Sequence, residues 1–166
     1  MGELNYIYAP ESPLTEQFRC RVPMKGTRQL FIVNGGVQGT STPFSISLEK
    51  GQVMEDILQV ISVRTEGSPL EIAYKNTLHF GEGSQARILL CSHTFTSDKF
   101  ITQEVVDITL EDRAVVDIVV MQNEHNEAVH NTRFNISVGE DSSLKIAFLT
   151  LHGGNIDNQV EVNING

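Results

Sequence analysis

From Pro43 onward the chain alternates short apolar and polar runs, separated by turn residues, with no helix-like period of any length. Alternation with period two marks a strand buried on one face. Five such runs can be laid in register at their ends: "FSISL" (44–48), "NTLHF" (76–80), "VDITL" (106–110), "FNISV" (134–138) and "VEVNI" (160–164). Their middle residues, Ile46, Leu78, Ile108, Ile136 and Val162, form a column that should stack in the core, at successive offsets of 32, 30, 28 and 26 residues. Leu48, Phe80, Leu110, Val138 and Ile164 make a second column, and Phe44, Asn76, Val106, Phe134 and Val160 a third. Only Asn76 breaks the apolar set, and every residue between these columns is polar.

After each of the three middle runs come a turn and a second strand: "GEGSQARILL" (81–90), "EDRAVVDIVV" (111–120) and "GEDSSLKIAF" (139–148). In register these stack Ala86 with Val116 and Leu144, Ile88 with Ile118 and Ile146, and Leu90 with Val120 and Phe148. Arg87, Asp117 and Lys145 form a column of alternating sign, which should face water. Two strands per repeat, each covering the last, predict an all-β chain wound as a right-handed parallel β-helix. Residues 1–42, mixed in turn residues and two short apolar runs around Phe18 to Val22 and Leu30 to Val33, read as a cap or irregular lead-in. Residues 43–166 read as the β-helix domain. The pattern calls for a further strand after Asn165 and Gly166, so the expectation is a β-helix truncated at its C-terminal end, a fragment of a longer chain.

A chain of 166 residues is long enough for one domain with a real core. Its formal charge of −9 argues against nucleic acid or an anionic membrane as main partner, since both call for a basic surface. The two cysteines, Cys20 and Cys91, do not make a disulfide framework. No apolar run approaches a membrane span, and "MGELNYIYAPESP" lacks the regions of a signal peptide. The expected setting is therefore cytoplasmic and reducing, where the sequon at Asn135 has no use.

The stretch from Leu70 to Gly166 resembles the SufB/SufD family of iron–sulfur cluster assembly proteins. The residues that carry the likeness are "LHFGEGSQARILLCSH", "QEVVDITLEDRAVVDIVVMQNE" and "LTLHGGNIDNQVEVNING", with the Gly153–Gly154 turn. "FSISLEKGQVMEDILQVISV" resembles the preceding coil, and within the family the chain looks more like SufD. The resemblance implies a β-helix core flanked by helical regions. It also implies a non-enzymatic scaffold subunit acting with SufB-like and SufC-like ATPase subunits, with an iron–sulfur cluster in the full complex and no cofactor in this piece. Later coils and a C-terminal helical region, where cluster and SufC contacts are expected, have no counterpart here.

Cys91 and His93 form a C-x-H pair on one strand face, in columns with Met121, Leu149 and with Asn123, Leu151. Thiolate and imidazole could ligate zinc or a cluster, but a structural site needs about four ligands, so a packed thiol and a surface histidine are the plainer reading. His79, His125, His130 and His152 show no ligand spacing, and the acidic turns read as solvated corners. Leu89, Val119 and Ala147, with Met121 and Leu149, are apolar in columns that face outward. Such a face usually marks a contact surface, covered by another protein chain (a partner subunit or a second copy), by a flanking domain, or by a loop of the same chain such as residues 1–42. The other function classes are a structural or ligand-binding β-solenoid and a β-helix carbohydrate-active enzyme. The enzyme would need clustered basic and acidic residues that the chain lacks.

Overall fold

The computed structural model describes residues 25–37, 44–96 and 98–165. The strands are β1 (Thr27–Val33), β2 (Gly36–Val37), β3 (Ser45–Leu48), β4 (Ile57–Arg64), β5 (Glu71–Phe80), β6 (Gln85–Thr94), β7 (Ile101–Leu110), β8 (Val115–Asn123), β9 (Val129–Val138), β10 (Ser143–His152) and β11 (Asn155–Ile164). They lie in two sheets, ordered β10-β8-β6-β4-β1-β2 and β11-β9-β7-β5-β3, with consecutive long strands alternating between sheets. All the pairings are parallel except that of β2 with β1. The described residues contain no helix, so the architecture is a parallel β-solenoid.

The register of the second sheet is the one the alternation predicts: Ile46, Leu78, Ile108, Ile136 and Val162 are successive ladder partners. The first sheet likewise stacks Ala86, Val116 and Leu144. A slip of one residue would turn every buried side chain outward, which is why strict alternation fixes register so firmly. Ile46, Leu78, Ile108 and Ile136 are buried. Val162 occupies the same column but is 51% exposed, because no described strand covers β11 on its far side.

Regular coiling begins earlier than the sequence pattern suggests. Leu30 to Val33, placed in an irregular lead-in, belong to β1, which pairs with β4 along its whole length from Thr27↔Ile57 to Val33↔Val63. A single apolar run carries no repeat signal, so only the ladder reveals it. The run Phe18 to Val22, and Cys20 within it, lie outside the described residues.

The two corners of each coil differ. Residues 81–84, 111–114 and 139–142 are four-residue turns that interlock from coil to coil: the N–H of Gly83 donates to the Asp112 carbonyl and that of Arg113 to the Glu140 carbonyl, both at 2.9 Å. The third residue of each turn sits at positive φ, at 66° for Gly83, 60° for Arg113 and 54° for Asp141. A Cβ built on Gly83 meets nothing within 4 Å, so substitution there isolates the backbone cost. Gly83→Val is expected to lower unfolding free energy by about 1–2 kcal/mol, and Gly83→Asn by clearly less. Equal losses for both in urea denaturation would show that this conformation is not what the corner requires.

The opposite corner shortens from residues 95–100 to 124–128 and finally to Gly153–Gly154, which takes up the shrinking offset between coils. In the last of these a Cβ on Gly154 would collide with the Asn126 carbonyl oxygen, so only glycine fits against the preceding loop.

A candidate functional site in the polar half of the coil

The interior is divided lengthwise. Toward the four-residue turns it is apolar, built from Phe80, Leu78, Ile88, Ile108, Val116, Ile118 and Ile136. Toward the other corner the inward positions turn polar. On the second sheet Tyr74, Glu104, Thr132 and Asn158 are ladder partners, and Thr102 pairs with His130 beside them. On the first sheet Ser62, Ser92, Gln122 and Thr150 form the facing column.

At the centre of this strip His130, 2% exposed, lies between two carboxylates. Its Nδ1 is 2.5 Å from Glu124 Oε1 and its Nε2 3.2 Å from Glu104 Oε2, so both ring nitrogens must donate and the ring is an imidazolium. Burial opposes that charge, but the hydrogen bonds and charges of Glu104 and Glu124 overcome it and raise the His130 pKa to about 10. Asn76, the one polar residue in the third stacking column, donates to Glu104 Oε1 at 2.6 Å and accepts the Phe44 backbone N–H at 3.2 Å. Arg64 lies near Glu124, donates to Thr102 Oγ1 at 3.1 Å and to the Pro69 carbonyl, and sits 4.4 Å from the Phe100 ring centroid. Two cations and two anions thus balance within the strip, as buried charges must. Burial also raises the Tyr74 hydroxyl well above its ordinary value, so it remains a neutral donor. Gln122 and Asn158 exchange hydrogen bonds at 3.2 and 2.9 Å, and Thr150 donates to Gln122 at 3.1 Å.

No motif spacing marks this cluster in the sequence, although part of it is legible there. Counting back by twos from Ile136 gives Phe134, Thr132 and His130, and from Ile108 gives Val106, Glu104 and Thr102, all inward by parity. Glu124 follows the end of β8, and nothing in the spacing brings it to His130.

Cys91 and His93 do point away from the main interior, yet neither lies at the surface: they are 2% and 7% exposed. Cys91 belongs to a second apolar cluster on the outer face of the first sheet with Ile61 and Val63, flanked by Phe31, Val33, Leu89, Phe95 and Met121. The expected surface histidine is therefore corrected. His93 stacks on Phe95, its burial lowers its pKa to about 4, and it stays neutral. Gln59 Nε2 lies 3.7 Å from the Cys91 thiol. Among the described residues no group of three or more His, Cys, Asp or Glu side chains is placed to hold a metal ion.

The apolar outward columns occur as aligned, with Leu89, Val119 and Ala147 in one and Cys91, Met121 and Leu149 in the other. The next column departs from the alignment. An irregularity between Thr150 and His152 brings His152, not Leu151, opposite Asn123. His152 Nδ1 then lies 2.7 Å from the Glu124 carbonyl. Leu89 and Met121 are half-buried, whereas Val119, Ala147 and Leu149 are exposed. His79 is an exposed partner of Glu111, and His125 Nδ1 accepts the Glu127 N–H within its turn. The column Arg87, Asp117, Lys145 is exposed to water.

No described helix is long and apolar enough to cross a membrane. Comparison with curated proteins and with solved structures returns no match. One family model does match, described as the SUF system FeS cluster assembly, SufBD core domain, over residues 63–166. That span runs from the end of β4 through β11, covers more than half the chain, and contains Glu104, Glu124 and His130 of the polar strip. With coil and match coincident, the chain belongs to the SufB/SufD family of the iron–sulfur cluster assembly system.

Proposed function

We propose that this protein is a non-enzymatic scaffold subunit of iron–sulfur cluster assembly, closer to SufD than to SufB, working in the cytoplasm beside SufB-like and SufC-like subunits. The observation that carries the reading is the SufBD core match over an uninterrupted parallel solenoid. A rigid stack of coils suits a scaffold, since each inner strand is held by neighbours on both sides and presents a fixed outer face. The cluster is cargo of the assembled complex in this reading, and no cofactor is assigned to these residues. The test is affinity purification of the native protein from its host with mass spectrometry of what accompanies it. Recovery with SufB-like and SufC-like chains supports the proposal. A protein recovered alone would overturn it and leave a stand-alone structural or ligand-binding solenoid.

The partner surface we assign is the outer face of the first sheet, where Val119, Ala147 and Leu149 are exposed and Leu89 and Met121 are half-buried beside them. The corresponding face of the second sheet is mostly polar, with Gln103, Asn131 and Asp157 in one column and Asp107, Asn135 and Glu161 in another. Replacing Val119 and Met121 together with Asp is expected to abolish co-purification while leaving the far-ultraviolet circular dichroism unchanged. Partners retained at wild-type levels would exclude this face as an interface.

A further inference from the structure

At the seam between the apolar and polar halves of the interior lies a cavity of about 10 Å³. Ser62, Ser92, Glu104, Gln122 and Thr132 line it on one side, and Val60, Leu90, Val106, Val120 and the two rings Phe44 and Phe134 on the other. The ladder explains why space remains there. To one side the Tyr74 hydroxyl reaches Ser62 directly. To the other, Gln122 and Asn158 close the interior with their paired amides. Between these bridges Ser92 and Thr132 are short, and the Glu104 carboxylate is turned toward Asn76 and His130.

We propose that this cavity is a binding site for a single water molecule that links the Ser92 and Thr132 sides of the coil beside the Glu104 carboxylate. The volume suits one water, which needs roughly 10–15 Å³ of this kind and two to four polar partners. A serine, a threonine, an amide and a carboxylate supply more than enough donors and acceptors, whereas an apolar cavity of this size would stay dry. The carboxylate gains a further hydrogen-bond partner beyond Asn76 and His130.

A high-resolution crystal structure of the wild-type chain tests this directly. Density for one water within about 3.2 Å of at least two of Ser92, Thr132, Gln122 and Glu104 is expected. In solution the same water should give rotating-frame cross-peaks to neighbouring amides with the sign of a bound molecule. Ser92→Val, which puts methyl groups in the cavity, should remove both signals. A wild-type cavity without density, or one closed by a rotated Ser92 or Gln122 side chain, would overturn the assignment.

Discussion

Replacing His130 with Gln is expected to lower the free energy of unfolding by about 3–5 kcal/mol, the cost of removing one partner from a buried ionic network. The change leaves Glu104 and Glu124 facing a neutral amide in a buried site, without the cation that balances them. The pH dependence distinguishes this from a simple packing loss. In the folded protein the His130 pKa is raised to about 10 from 6.5, so the imidazolium's contribution is fully present below pH 6.5 and is lost as pH rises toward 10. Wild-type stability should therefore decline across that alkaline window, and the variant should lack this decline. The deficit of the variant should therefore be largest near pH 6 and narrow as pH rises toward 10. Urea denaturation of both proteins at pH 6, 8 and 9.5 checks this. A variant curve parallel to the wild type at all three would show that His130 is not charged in the fold.

The second large effect concerns the apolar half. Ile136→Ala should cost about 2–5 kcal/mol, since Ile136 is buried between Ile108 and Val162 in the ladder and its neighbours cannot close the space. Val162→Ala in the same column removes only two methyl groups from a half-exposed site, and its expected cost is under about 1 kcal/mol. The contrast matters more than either number, because it tests stacking coil by coil with one chemistry. Should Ile136→Ala cost no more than Val162→Ala, the column is not the structural core that the register implies.

Both effects bear on how the family role is carried. A solenoid without helices in its described part has little beyond neighbouring coils to hold each strand. Its charged strip and apolar columns run through the same strands, Glu104 two residues before Val106 and His130 four before Phe134. Loss of either is expected to loosen several coils at once, and with them the outer face assigned to partners.

Most strands, the sheet register and the two-strand coil were legible in the amino-acid sequence, because period-two alternation repeated five times leaves one register that turns the repeated apolar columns to a common interior. The inward parity of Glu104, Thr132 and His130 is written there too. What only the tertiary structure decided depends on residues that no period relates. Glu124 comes from a loop to complete the histidine's pair of carboxylates, and the displaced His152 comes from an irregularity that alternation cannot announce. The burial of Cys91 and His93 shows the same limit: alternation says which side of a sheet a residue faces, but what covers that side is fixed by packing. Likewise β1 joins the coil through a ladder with β4, whose partners are set by neighbours in space and leave no repeat in the chain.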